Sequence, residues 1–235
     1  MLLPALSAAC GEPGTETSQR FLASAYDSVQ AVLTNLGTIR EQRRQSGGDI
    51  RGRLTANEED LLRAAVVFTG AGLDATLKRL IRDTLPRLLE TSEQAHGKFE
   101  EFAARRLGTG EIADTKMVAR YLTSQNPRER LIEDYVYELT GSSLQSADEV
   151  GKTAAALGID DKSLRKRIVD LKTLFVARNQ ISHELDLRAP ERQGERARRA
   201  RAMRPTMQLC HEGLEVGQLI INAVGDSLVG SAAAG

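Results

Sequence analysis

The sequence predicts an all-α protein, and three observations carry that prediction. Ala, Leu, Glu and Arg dominate the 235 residues; all favour helix, while runs of the strand-favouring Val, Ile, Thr and Tyr are few. Apolar residues recur at intervals of three and four, the period of a helix with one buried face. The breaks between these stretches are short and rich in Gly, Pro and Asn. With 41% apolar residues the chain can bury one sizeable core, and its length fits one domain.

Residues 1–16 read as a disordered tail. Met1 to Ala9 are mildly apolar, but they lack the basic start and the length of a signal peptide, and Gly11, Pro13 and Gly14 are breakers. A helix is expected over 17–45, where Leu22, Ala25, Val29, Val32 or Leu33, Leu36 and Ile39 form one stripe. Residues 46–54 form a flexible break. Thr55 and Glu58 read as a capping box opening a second helix to about 90, with Leu62, Val66, Leu73, Leu77 and Leu80 on one side and Pro86 expected to kink or end it. Inside it lie Gly70 and Gly72. Each glycine costs about 1 kcal/mol relative to Ala in a helix; either another backbone comes close there, or the weak spot is merely tolerated.

Shorter helices fit 92–107, 112–123 and 127–140, divided by Gly108–Gly110 and by Asn126-Pro127; another covers 147–157 and ends at Gly158. A long helix is expected from an N-cap at Asp160 or Asp161 to about 185. After a break at 187–190, a last helical region covers 192–229, interrupted by Pro205. The domain thus spans 17–229, with 230–235 a frayed tail.

The chain holds 32 basic and 32 acidic residues. Zero net charge argues against a protein that coats nucleic acid, so any such contact must be local. Cys10 and Cys210 make neither a metal cluster nor a disulfide framework, which fits a reducing compartment. No apolar run reaches membrane-spanning length, and a cytoplasmic protein is expected. No grouping of carboxylates, His or Cys suggests a metal or another cofactor.

The helix over 161–185 carries the chemistry. Its buried stripe is expected to be Leu164, Ile168, Leu171 and Phe175, and the next slots of that stripe hold Arg178 and Ser182. An unpaired buried Arg is costly because its charge cannot be shed, so the stripe must either pair it or open there onto a cleft. Asn179 and His183 lie four apart on the neighbouring flank. Arg178 and His183 lie about 140° apart around a regular helix; they diverge in one chain but converge if two copies meet about a two-fold axis.

The stretch "LKTLFVARNQISHELD" resembles the signature of the HEPN family: Arg, often followed by a polar residue, then His after a spacing of four to six residues, at the end of a long helix. "SADEVGKTAAALGIDDKSLRKRIVDLKTL" and "AAVVFTGAGLDATLKRLIRD" resemble the corresponding segments of stand-alone bacterial members of the RiboL-PSP-associated type. The resemblance covers roughly 57–185. It implies an up-and-down helical bundle, here with an N-terminal helical extension, that dimerises and cleaves RNA without a metal. Arg178, Asn179 and His183 would be catalytic, with Ser182 supporting. An imidazole titrating near neutrality suits the general base or acid acting on the ribose 2′-hydroxyl and the leaving 5′-oxygen. The fork of Arg178 suits the charged pentacoordinate phosphate. Asn179 would orient His183 or hold a phosphate oxygen. Asp74, beside the small-residue stretch of the second helix, is a candidate partner for Arg178 or a plain surface charge. The family setting is growth arrest, as a toxin or an anti-phage effector, with an antitoxin or other controlling protein. Leu185 stands where the nucleotidyltransferase-associated members carry Tyr, so a tyrosine-modification switch is not expected.

Plainer readings stand beside these. A histidine at a helix C-terminus also interacts favourably with the helix dipole; His96 and His211 have only surface or packing contexts. Arg188, Arg192, Arg196, Arg198, Arg199, Arg201 and Arg204 form the one basic concentration. On a helix Arg192, Arg196 and Arg199 would share a face and, with Arg188, hold an RNA backbone, unless they form a solvated or salt-bridged face with Glu191 and Glu195. Two other functions are open. A HEPN-like module that has lost catalysis would only bind RNA or protein. Alternatively, residues 147–172 resemble a helix-turn-helix, with Leu157-Gly158-Ile159 at the turn and Ser163, Arg165, Lys166 and Arg167 on the second helix. Against that stand a second helix of about 25 residues, far longer than a recognition helix needs, and phosphate-repelling Asp160 and Asp161 at its start.

Overall fold

The computed structural model describes residues 2–47, 54–108, 115–194 and 196–232. Met1, most of the expected break at 46–54, most of the break at Gly108–Gly110 with the expected start of the helix over 112–123, Glu195 and the last three residues lie outside the described residues. The described residues form nine helices and no strand: α1 (Glu16–Gln45), α2 (Ala56–Thr91), α3 (Glu93–Gly108), α4 (Thr115–Leu122), α5 (Pro127–Thr140), α6 (Ala147–Ala156), α7 (Lys162–Asp170), α8 (Lys172–Glu184) and α9 (Met203–Ala232). None of these helices is long and apolar enough to cross a membrane.

The helix α2 is the axis of the bundle. Its capping box forms as the sequence predicts. Thr55 Oγ1 accepts from the Glu58 amide at 3.3 Å, and the Glu58 carboxylate accepts from the Thr55 amide at 2.8 Å. Pro86 neither ends the helix nor divides it, since α2 continues to Thr91; one missing N–H is tolerable in a helix packed this extensively. Leu62, Leu73, Leu77 and Leu80 are fully buried. Against them pack α1, running antiparallel to α2, then α8, and α9. Leu22, Val29, Leu33 and Leu36 fill the α1 stripe, whereas Ile39 is exposed. A methyl group on Gly72 would stand 2.2 Å from Ala25 Cβ, so this glycine is where α1 and α2 come closest. The helices α3 to α6 close one end, around the rings of Phe99, Phe102 and Tyr135.

Three expectations require correction. Residues 2–15, expected as a disordered tail, lie against α1 and α9. Leu3 is buried, its amide donates to Gln30 Oε1 at 2.7 Å, and Ser7 and Cys10 donate to Glu215 and Asn222. The segment is only mildly apolar and ends in breakers, yet it binds through side-chain acceptors on α1 and α9 that local composition does not reveal. The expected single helix over 161–185 is two. It breaks at Leu171, which stays buried between α7 and α8. Finally, the last helix begins only at Met203, with Pro205 in its first turn, and the arginine-rich stretch before it is not helical. There Leu187 and Arg198 form an isolated antiparallel bridge, and the chain doubles back on the end of α8.

Candidate functional site

The buried stripe holds as expected through Leu164, Ile168, Leu171 and Phe175. At Arg178 it opens: this side chain is half-buried, and Ser182 one turn later is exposed. Arg178 lies across α2 at Gly70, where a methyl group would stand 3.2 Å from its Cγ. The glycine therefore gives the stem of Arg178 a bed, which is the close approach the sequence suggested, made by a side chain instead of a backbone. The Arg178 guanidinium donates to Asn179 Oδ1 at 3.0 Å, and among the described residues no carboxylate pairs with it. Asn179 in turn donates to the Gln145 carbonyl at 3.4 Å, so its amide links Arg178 to the backbone before α6.

Asp74 does not pair with Arg178. It binds Lys78 at 3.1 Å and accepts from the Leu144 amide at 2.7 Å. Its place is nevertheless close by, because it fixes residues 144–145, the backbone on which Asn179 rests. His183, on the last turn of α8, is exposed and makes no hydrogen bond among the described residues. Arg178 and Asn179 are half-buried and Ser182 and His183 exposed along the last two turns of α8. A single chain brings Arg178 and Asn179 together but leaves His183 pointing outward.

A second cluster, which the sequence did not announce, anchors the end of α8. Leu185 and Asp186 both take left-handed conformations, φ 51° and 59°, unfavourable for side chains other than Gly. They are held there because the Asp186 amide returns to the Gln180 carbonyl at 2.9 Å and its carboxylate, fully buried, receives Arg63 Nε at 2.8 Å and Arg201 Nε at 2.9 Å. Burial would raise the pKa of Asp186, but the hydrogen bonds from Arg201 and Arg63 and their charges outweigh it and hold the carboxyl below its ordinary range. Arg63 also binds Glu59, Asp60 and the Arg199 carbonyl. The one sequence signal for this cluster was a lone Arg63 inside the apolar run of α2.

The arginine-rich loop divides accordingly. Arg199, expected to face RNA, is taken up by Glu184 at 3.0 Å and by the Leu187 carbonyl; the loop turns it inward, so it shares no face with Arg192 and Arg196. Arg198 binds Asp60. Arg188, Arg192 and Arg196 are exposed and form no ion pair among the described residues. No family profile, curated protein or solved structure matches this chain.

Proposed function

We infer that the chain is a HEPN-type, metal-independent endoribonuclease whose site combines Arg178 and His183 from two copies. The observation that supports this best is the setting of Arg178: a half-buried guanidinium, bedded on Gly70 and held by a neutral amide, with no carboxylate partner among the described residues. A cation kept in place without a carboxylate partner among the described residues is suited to receive an anion, and the His183 imidazole is exposed at the end of the same helix. On this reading His183 takes the proton of the ribose 2′-hydroxyl as that oxygen attacks phosphorus. The bond to the 5′-oxygen breaks, and the second His183 protonates the leaving oxygen, giving a 2′,3′-cyclic phosphate and a 5′-hydroxyl. Arg178 stabilises the charge that builds on the phosphate oxygens. Arg188, Arg192 and Arg196 hold the flanking backbone. DNA, lacking the 2′-hydroxyl, is spared. The setting is growth arrest, under the restraint of a partner protein.

The test is incubation with total RNA in EDTA. Fragments ending in cyclic phosphate are expected, and none with His183→Ala or Arg178→Ala. Intact RNA, or equal cleavage by those variants, would overturn the reading.

One observation favours a second reading. With the break at Leu171, α7 has nine residues, so the length objection to a helix-turn-helix no longer applies. Gly158 makes the turn at φ +78°, and Ser163, Arg165 and Lys166 are exposed. Asp160, however, ion-pairs with Arg165 and keeps negative charge at the front of α7. A duplex-DNA complex abolished by changing Arg165 and Lys166 together would favour that reading over the ribonuclease.

A further inference from the structure

Residues 3–10 lie in a groove between α1 and α9, and the groove holds them mainly by their backbone. Gln30 accepts from the Leu3 amide at 2.7 Å, and the Tyr26 hydroxyl donates to the Leu3 carbonyl at 3.1 Å. Glu215 accepts from the Ser7 amide at 3.0 Å and from the Ser7 hydroxyl. Asn222 is bidentate: it accepts from the Cys10 amide at 3.1 Å and donates to the Ala8 carbonyl at 2.9 Å. Ser7 and Cys10, three residues apart, thus reach side chains seven apart on α9. A helix rises about 10 Å over seven residues, and three residues span that only when extended. Glu215, Gln218 and Asn222 recur at helical spacing along one face of α9, and Glu215 and Gln218 are buried. The held segment itself buries little: Leu3 is enclosed, Leu6 is half-buried and the others are exposed.

We propose that this groove is a peptide-binding site, and that residues 3–10 are an occupant it exchanges for an extended segment of another protein. Bonds to main-chain N–H and C=O groups are open to any sequence, as in recognition by strand addition, so the groove is not committed to its own chain. Three side-chain positions then set the pattern of the ligand. Leu3 is buried and requires an apolar residue. The Ser7 hydroxyl meets Glu215 and requires Ser or Thr four places later. Cys10 lies on Gly225, where a methyl group would collide with its Sγ, so a small residue must follow three places on. The groove also continues past Leu2 into a cavity of about 550 Å³, walled by Met203, Met207 and His211 and edged by Arg204. Methionines make an adaptable apolar surface. Arg204 is exposed and forms no ion pair among the described residues. A ligand with an apolar residue and a carboxylate ahead of its Leu position fills this cavity and meets Arg204. Residues 3–10 make neither contact, which gives such a ligand its advantage over them. The inference does not rest on the ribonuclease reading.

The experiment titrates a fluorescein-labelled synthetic peptide, Glu-Leu followed by the sequence of residues 2–10, into the full chain and follows its anisotropy. Ser7→Glu sets a carboxylate against Glu215 and loosens the resident segment, so this variant should bind the peptide about tenfold more tightly than the wild type does. Adding Asn222→Ala to that variant should weaken binding about tenfold, the worth of one or two hydrogen bonds. A peptide with Asp at the Leu3 position should bind at least about tenfold more weakly than its parent, and one without the leading Glu-Leu should also bind more weakly. Hydrogen exchange on the wild type needs no variant: at saturating peptide the amides of Leu3, Ser7 and Cys10 should exchange about tenfold faster or more. Retained protection of these amides at saturating peptide overturns the proposal. So does the absence of binding to the wild type and to a Ser7→Glu chain that circular dichroism shows to be folded. Binding that ignores Asn222→Ala places the peptide elsewhere and overturns it too, as do dimers that trade residues 2–10 between two copies and exclude the peptide.

Discussion

Arginine is used in opposite ways at two places on the same end of the molecule. Around Asp186, Arg63 and Arg201 converge on a carboxylate with no exposed surface, and Glu59 and Asp60 take up the remaining donors of Arg63. At Arg178 the guanidinium is half-buried and, among the described residues, meets a neutral amide and no carboxylate. The comparison teaches how charge is divided between structure and chemistry. Deep burial makes an unpaired ion prohibitive, so the Asp186 cluster is closed and saturated. Partial exposure lowers that cost enough for Arg178 to wait without a counter-ion, and an arriving phosphate then breaks no ion pair to bind it.

The sharpest way to break this contrast is at Asp186. Asp186→Ala leaves the buried Arg63 and the partly buried Arg201 without their shared carboxylate, at a cost of about 3–5 kcal/mol. For a chain of this size roughly 2–4 °C of Tm accompany each kcal/mol, so melting followed by circular dichroism should fall by roughly 6–20 °C. An unchanged Tm would show that the cluster does not hold the end of α8. The pH dependence has a definite sign. The folded pKa of Asp186 lies below its ordinary value, so its contribution is complete above the ordinary carboxylate range and is lost as pH falls through the folded value. The Tm gap between wild type and Asp186→Ala should therefore shrink progressively below about pH 4.

Arg178→Ala should show the opposite balance. No ion pair is lost, so stability should change by less than about 1 kcal/mol, while RNA cleavage falls by about 10²–10³-fold, the usual cost of removing one charge-stabilising donor. Arg178→Lys keeps the charge but not the fork and should recover only part of the rate. Cleavage and melting measured on the same samples decide it; a large fall in Tm with little change in rate would put Arg178 with the structural arginines.

How much of this was legible depends on whether a feature is local. The stripes of α1 and α2, the capping box at Thr55, and the helix over 127–140 follow from residues within a few turns of one another, and the structure has them. The opening of the core at Arg178 was also legible, since an apolar stripe cannot continue through an arginine. The break at Leu171 was not: Leu164, Ile168, Leu171 and Phe175 keep helical spacing across it, and a turn that preserves burial leaves no mark in that pattern. The loop over 188–202 was misread for a different reason. Its Arg and Ala residues favour helix, but Asp186 and Arg63, 123 residues apart in the chain, pull the segment back on itself, and no local propensity records such a pair. The packed residues 2–15 were missed in the same way, since their partners are on α1 and α9.

The two glycines of α2 sharpen the comparison at smaller scale. Gly72→Ala would put a methyl 2.2 Å from Ala25 Cβ, on the wall of another helix that cannot yield cheaply. Overpacking of this kind costs about 1–3 kcal/mol, partly offset by about 1 kcal/mol of helix propensity, so a modest net loss of Tm is expected. Gly70→Ala meets only the flexible stem of Arg178, at 3.2 Å. The same propensity gain should then leave Tm unchanged or slightly raised, while the displaced guanidinium slows cleavage. A variant that gains stability and loses rate would identify Gly70 as the bed of Arg178; equal rates would mean that the position of the stem does not matter.

The smallest effects belong to the arginine loop, where the same division repeats. Arg188, Arg192 and Arg196 are exposed without ion pairs among the described residues, whereas Arg199 and Arg201 are taken up by Glu184 and Asp186. If the first three hold a single-stranded backbone, each substitution by Ala should weaken RNA binding only a few-fold and flatten the slope of log affinity against log salt by about 0.7, with no change in Tm. Arg201→Ala should lower Tm instead, because it removes one of the two cations that balance a buried carboxylate, and should leave the salt slope alone. Titrations of a catalytically silent His183→Ala background at several salt concentrations separate these outcomes. A salt slope that follows Arg201 and ignores Arg192 would reverse the assignment of which arginines serve structure and which serve the ligand.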